Sequence, residues 1–271
     1  MLNKFSGLKR KVLSAALASC LLQPASMFAQ MDPPEVDPMP VPRNEFGHPS
    51  FAGTPERVGN WQGLLGSLAN RGDRRPFNIE ESLMYEDVPF QPWAAELHAE
   101  RIAKGGAYDP HTRCKPSGGA RMFHTPYGME FLDLGSEVII VNVGAPHSWR
   151  RIWVDGRDFP ADIEPGWYGY SIGHWEDDTL VLESIAFNDY TWLARGGFFH
   201  SDKMKVTEKF TRQGNEIVYE VIVDDPEVLV EPWVMTPRVL ALNSNPDAGL
   251  LPERGNCEVY ELDDITSQIR H

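Results

Sequence analysis

The sequence predicts a mainly β fold: eight or nine antiparallel strands forming an up-and-down barrel or a sandwich, behind an N-terminal arm and one short helix. Three observations predict it. From about Met129, short apolar or alternating runs recur at regular spacing, over 129–134, 137–143, 149–154, 167–174, 179–187, 203–212, 215–223, 229–242 and 257–262. Turn signals separate them: Leu134-Gly135-Ser136, Asp155-Gly156, Glu176-Asp177-Asp178 and Gln213-Gly214-Asn215. No regular alternation of strand and helix patterns appears, which argues against a doubly wound or TIM architecture. The composition, 42% hydrophobic and 24% charged, is that of a globular chain.

The elements follow in order. Residues 1–29 read as an export signal. A basic start ends at Lys11, and the apolar stretch Val12 to Leu22 is too short to span a bilayer. Pro24 then breaks the helix, and Ala29-Gln30 is a cleavage point. A second reading competes: Leu17-Ala18-Ser19-Cys20 fits a lipoprotein box, with Cys20 acylated and retained as a lipid anchor. No later segment is long enough to span a membrane. Residues 30–60 form a proline-rich arm, with Pro33, Pro34, Pro38, Pro40, Pro42, Pro49 and Pro55. Residues 61–128 form an N-terminal extension whose first thirty residues carry no clear pattern. Pro92-Trp93 opens a helix to about Lys104, with Trp93 and Leu97 as i,i+4 neighbours and Gly105-Gly106 ending it. The barrel is expected over 129–271.

Charge narrows the partners. The formal net charge is −14, and removing the leader, which holds Lys4, Lys9, Arg10 and Lys11 and no acid, takes it to −18 (21 basic against 39 acidic residues). That balance disfavours nucleic acid, whose phosphates need a basic face. It also disfavours docking on anionic lipid by charge.

Export implies an oxidising compartment. With Cys20 assigned to the leader, Cys114 and Cys257 remain and are expected to form a disulfide. The loop closed is roughly 140 residues, worth about 4–5 kcal/mol on the chain-entropy account. The alternative is two buried thiols.

Arg151-Ile152, Asp155-Gly156-Arg157 and the run Gly169-Tyr170-Ser171-Ile172-Gly173-His174-Trp175-Glu176-Asp177-Asp178-Thr179-Leu180-Val181 resemble a large family of exported bacterial proteins of unassigned function. The likeness continues in Asn188-Asp189-Tyr190-Thr191-Trp192-Leu193, His200-Ser201, Thr207-Glu208-Lys209-Phe210, Asp224-Asp225-Pro226 and Pro232-Trp233. Upstream it includes Tyr108-Asp109-Pro110, Cys114-Lys115-Pro116 and Arg121, so it covers roughly residues 90–260. The family pattern has glycine where Asp177 stands, Val-Pro where Gly119-Ala120 stands, and often arginine where Lys209 stands. The resemblance implies a lipocalin-like barrel and a periplasmic location, or the outer membrane if Cys20 is acylated. It implies no particular chemistry.

Gly169-Tyr170-Ser171-Ile172-Gly173 matches the G-x-S-x-G nucleophile elbow, which needs a strand-to-helix turn. Here His174-Trp175-Glu176-Asp177-Asp178 leads into a turn and another strand, so a mid-strand run is the better reading. Trp167, Gly169, Ser171, Gly173 and Trp175 then share one face. Small residues between tryptophans leave room for a ligand or for a closely packed element.

Metal signatures are absent, and His98, His111, His124, His147, His174 and His200 are scattered singly. Neither a dinucleotide fingerprint nor a Walker loop is present, and no cofactor is expected.

The sharper signal is acid at positions facing inward. Glu208 shares a face with Met204, Val206 and Phe210, and Glu183 lies among Val181, Ile185 and Phe187. A carboxylate inside a barrel needs a partner or loses its charge. Arg151, flanked on its own face by Trp149 and Trp153, is one candidate partner, and Arg121 is another. Such a pair either closes the barrel structurally or serves as a general acid or base.

The connection Asn188–Ser201 carries Tyr190, Trp192, Gly196, Gly197, Phe198, Phe199 and His200. It reads as an aromatic lid over a barrel mouth or as an ordered packed loop, with His200 a proton partner for Glu208.

Two functions stand. The first is a barrel that binds a small apolar or amphipathic molecule, with Trp167, Tyr170, Ser171, Trp175, Glu183, Trp192 and Phe199 lining the site. The second is a cofactor-independent lyase, hydratase or isomerase using Glu208 and His200 as proton carriers and Arg151 to orient substrate. A third, structural role predicts a barrel filled by its own side chains.

Overall fold

The computed structural model describes residues 40–54, 57–63, 88–104, 108–124, 128–142, 148–194 and 196–243. The leader, both candidate processing points, Cys257 and the expected strand 257–262 lie outside the described residues. A two-strand ribbon, β1 (Gly53–Thr54) and β2 (Arg57–Val58), leads into β3 (Asn60–Gly63). Helix α1 (Pro92–Ala103) and two 3-10 turns, Pro110–Arg113 and Ala120–His124, follow. Next come β4 (Met129–Asp133), β5 (Glu137–Asn142), β6 (Ser148–Trp153), β7 (Tyr170–Glu176) and β8 (Thr179–Ile185). The last elements among the described residues are β9 (Trp192–Ala194), β10 (Phe198–Phe199), β11 (Lys205–Gln213), β12 (Glu216–Asp224), β13 (Trp233–Val234) and β14 (Arg238–Leu242).

Nine of these strands close a barrel, in the order β3-β4-β5-β6-β7-β8-β11-β12-β14 and back to β3. Closure removes every free sheet edge from the ring. Two features refine the sequence reading. The ring takes one strand, β3, from upstream of Met129, where β14 and β4 hold it on either side. One pair, β6 with β7, is parallel rather than antiparallel. The segment 154–169 returns along the height of the barrel before β7 starts, so both strands run in the same direction.

The registers place the tight turns at 134–136, 177–178 and 214–215 at one end, the hairpin end. Asp177 adopts φ +50° in the second of these turns. Asp is one of the few side chains that tolerate that region. The opposite end, the mouth, is bordered by Ser148, Tyr170, Ile185, Lys205, Asp224 and Arg238.

Period-two alternation fills the interior. β11 buries Val206, Glu208, Phe210 and Arg212 and exposes Lys205 and Lys209. Gly173 on β7 is small because β8 lies against it: an added Cβ would stand 2.8 Å from Leu182 Cδ2 and 2.9 Å from the Val181 carbonyl oxygen. Its space is occupied by packing.

The 3-10 turn Ala120–His124 has all five residues buried. The Phe123 ring stands 4.6 Å from Tyr219 and 4.9 Å from Phe210, centroid to centroid. Phe131 lies 5.6 Å from Phe210. The turn therefore plugs the lumen with aromatic rings.

The arm closes the hairpin end. Phe51 lies 5.0 Å from Phe131 and 5.7 Å from Trp175, and His48 stacks on Trp175 at 4.5 Å. Trp61 Nε1 donates to the Phe51 carbonyl at 2.8 Å. Arg212 Nη1 donates to the Ser50 carbonyl, and Arg212 Nε donates to Gly214 at 2.9 Å.

Helix α1 starts at Pro92, whose missing N–H costs nothing in a first turn. It is placed by Gln91, whose backbone N–H reaches the Val228 carbonyl at 2.8 Å and whose Nε2 reaches that of Leu229 at 3.1 Å.

Phe123→Ala is expected to cost about 3–5 kcal/mol, because the plug cannot collapse into the vacated space. Urea unfolding of the variant against the parent measures it.

Candidate functional site

At the centre of the lumen one basic and one acidic side chain meet. Arg150 from β6 and Glu208 from β11 are almost wholly buried, at 2% and 0% exposure. Arg150 Nη1 donates to Glu208 Oε1 at 3.0 Å, and Nη2 donates to Oε2. Nη2 also reaches Ser184 Oγ at 2.6 Å, and Nε reaches Ser171 Oγ at 3.1 Å. The two hydroxyls lie 2.9 Å apart. On the other side Tyr219 Oη donates to Glu208 Oε1 at 2.8 Å.

Burial works against the Arg150 charge, but Glu208 more than offsets it, and the pKa is raised. Burial first, then Glu208, pushes the Tyr219 hydroxyl well above its ordinary value and keeps it a donor. Each polar group in this chain has its partners, which is the condition for holding charge in a low-dielectric interior.

This arrangement corrects the partner expected for Glu208. Arg151 faces outward, 45% exposed at its side chain, and pairs with Glu137 at 2.8 Å. It lies against the outer tryptophans Trp149 and Trp153 at 5.7 and 5.2 Å. The physical reason is alternation: Arg150 and Ile152 occupy the buried face of β6, and the two tryptophans belong to the outer one. The sequence reading assigned the tryptophan face to the lumen on apolar content alone. Arg121 is also engaged elsewhere, in a buried bidentate pair with Asp109 at 2.7 and 2.8 Å.

Glu183 is likewise corrected. β8 buries Leu180, Leu182 and Ser184, so Glu183 lies on the opposite face and is exposed. Tyr170 shares the outer face of β7 and meets Phe159 at 6.1 Å. Ser171 faces inward but sits mid-strand, followed by a hairpin, so no nucleophile elbow exists. Trp175 faces the arm rings, and Trp167 packs near Tyr190 at 6.0 Å.

His200 is buried, with Nδ1 2.9 Å from the Ser201 carbonyl and Nε2 2.7 Å from Thr191 Oγ1. Donation from Nδ1 to the carbonyl leaves Nε2 to accept from the hydroxyl. Burial lowers its pKa. Glu208 and His200 are each satisfied by other groups, so the structure does not assemble Glu208, His200 and Arg151 into one acid–base site. Among the described residues, no three of His, Cys, Asp and Glu come together to hold a cation.

What the structure does gather is at the mouth. The hairpin of β9 and β10 is buried throughout. Phe90 and Phe199 stack at 6.0 Å, Phe198 and Trp233 at 5.9 Å, and Trp93 reaches Phe199 at 5.7 Å with half its surface exposed. Asp225 ties the base of the hairpin down, accepting from the Ser201 backbone N–H at 2.6 Å and its hydroxyl at 2.8 Å.

Between them Phe90, Leu193, Phe198, Phe199, Leu229 and Trp233 pack into a closed crevice, with His200 and Asp225 at its polar side, that leaves no room for a water. Phe199 was legible in the sequence. Phe90, Leu229 and Trp233 were not, because the bridge between Phe90 and Leu229 is long-range.

No protein-family model matches the chain, and no curated protein matches it. Among solved structures it is similar to a single-residue mutant of the fluorescent protein UnaG. The identity is 13%, over 69% of this chain and 96% of that one, with a TM-score of 0.32. So distant a likeness carries no argument; the barrel rests on its own strand pairing.

Two outcomes test this site. Glu208→Leu leaves a buried guanidinium uncompensated and is expected to cost about 3–5 kcal/mol, whereas Arg150→Met with Glu208→Leu recovers most of it; urea unfolding of both variants decides. His124 is fully buried, and burial, then Arg238, lowers its pKa to about 3. A histidine neutral in the fold but titrating near 6.5 when unfolded leaves stability intact above that pH and removes it as pH falls toward 3. The slope is up to about 1.4 kcal/mol per pH unit. The drop in unfolding free energy between pH 7 and pH 5 should therefore be smaller in His124→Phe than in the parent.

Proposed function

We propose that this protein binds a small apolar or amphipathic molecule, and that the molecule sits at the mouth, between α1 and the β9–β10 hairpin, rather than at the centre of the lumen. The observation that supports it is the aromatic crevice of Phe90, Phe198, Phe199 and Trp233. The centre is taken up by the Phe123 plug and the Arg150–Glu208 pair. The crevice is closed, with no room for a water, so an occupant has to part the hairpin from the helix as it enters. Gly196 and Gly197, at φ +100° and +94°, lie in the turn between the two strands, where a side chain would be strained.

The same reading carries the export signal, the periplasmic location and membership of the exported family that the motifs resemble. It includes the Cys114–Cys257 disulfide as well. Cys114 ends the 3-10 turn Pro110–Arg113 at φ +58°. Intact mass of the mature protein distinguishes cleavage after Ala29 from acylation at Cys20, and a non-reduced peptide map tests the disulfide.

The binding test uses N-phenyl-1-naphthylamine, a neutral probe that brightens in apolar surroundings. Saturable one-to-one binding is expected, and Leu229→Trp, which adds bulk between the rings that an occupant has to part, is expected to weaken it at least tenfold while the far-UV spectrum stays native. No saturable binding, or binding indifferent to the added bulk, would remove this site from consideration.

A further inference from the structure

Helix α1 presents two nitrogen-bearing side chains, His98 and Arg101, one turn apart on one face. Both lie on the aromatic rings that build the mouth. The His98 ring sits 4.4 Å from Phe198 and 4.9 Å from Phe90. The Arg101 guanidinium carbon lies 4.4 Å from the Phe199 ring centre and 5.4 Å from that of Trp192. Gly197 admits this approach, since a Cβ there would stand 2.6 Å from Arg101 Cβ.

Each side chain keeps one unmet atom. Among the described residues, Arg101 Nη1 and His98 Nε2 are buried without a hydrogen-bond partner. The neighbouring acid, Glu100, is committed to Lys104. Stacking on aromatic faces offsets part of the cost of burying a guanidinium, but it leaves the N–H unmet. This is unusual in a chain with 39 acidic and 25 basic residues, where carboxylates to pair with are plentiful. His98 feels the same cation: burial, then Arg101, lowers its pKa.

Phe90, Phe198 and Phe199 are shared between this polar pair and the apolar crevice. An anionic group at the rim would accept from Arg101 Nη1 and from the Nε2–H tautomer of His98, while its apolar body lay along the rings. Resting on the binding reading above, we infer that the ligand is an organic monocarboxylate with an apolar body, held by its carboxylate between Arg101 and His98. A carboxylate matches the guanidinium fork, and two buried donors one helical turn apart suit its two oxygens.

Displacement of N-phenyl-1-naphthylamine by laurate and by 1-dodecanol, both below their aggregation limits, tests it. The parent protein is expected to prefer laurate at least tenfold. Arg101→Gln should abolish that preference and leave dodecanol unchanged, Arg101→Lys should keep part of it, and Arg151→Gln on the outer wall should keep all of it. Equal displacement by acid and alcohol in the parent, or a preference that survives Arg101→Gln, would overturn the carboxylate assignment while the binding site stood. Failure of the probe itself to bind would remove both.

Discussion

The contact between Arg150 and Glu208 sets the terms for the rest of the barrel. A charged pair with essentially no solvent access holds only if every remaining donor and acceptor is met. Ser171, Ser184 and Tyr219 meet them. Those five residues come from β6, β7, β8, β11 and β12, five consecutive staves of the ring. The pair therefore fixes register across the parallel junction between β6 and β7, one of two junctions in the ring, with β3–β4, where only two residue pairs are in register. A slip of one residue on β6 would put Trp149 or Arg151 where Arg150 stands and leave Glu208 without its counter-charge.

That commitment decides where a ligand can go. With aromatic rings from the 3-10 turn above it, the middle of the lumen is a packed core in the usual sense. At the mouth, short strands and helix α1 meet largely through ring contacts rather than through a continuous ladder, with Gln91 and Asp225 supplying the directional bonds. At the hairpin end the arm adds bonds from Trp61 and Arg212 to backbone carbonyls to its own ring contacts.

Much of the fold was legible in the residues, and for definable reasons. Strands β4 to β8 and β11 to β12 announce themselves by alternation and by the turns between them. Strand β3 did not, since four residues, Asn60–Gly63, carry no periodicity and acquire strand geometry only from β14 and β4. At the site, local pattern gave the burial of Glu208 but not its partner. Trp149, Arg151 and Trp153 look like an inner face because tryptophan is apolar. On an outer wall the same residues form a ladder in which Arg151 and Arg157 lie over the rings, Arg157 at 3.6 Å from Trp153. Alternation says which residues share a face; it does not say which face is inside when both are mixed. Phe90, Asp225 and Trp233 were out of reach for another reason, because nothing local marks two distant segments as neighbours.

The N-terminal arm has a consequence for how the chain reaches this state. Ser50 is held by Arg212, 162 residues later, and Asn44 and His48 are held by Asp133, more than 80 residues later. The segment that leaves the ribosome early therefore finds its full docking surface only when β11 exists. Contacts of such sequence separation raise the mean contact order and slow the closing step. The hairpin end cannot seal on a partial chain, and the ring shuts as a single late event. Sealing of that end is thus coupled to the strand pairing of the far half of the sequence, so a change in β11 is felt at the arm.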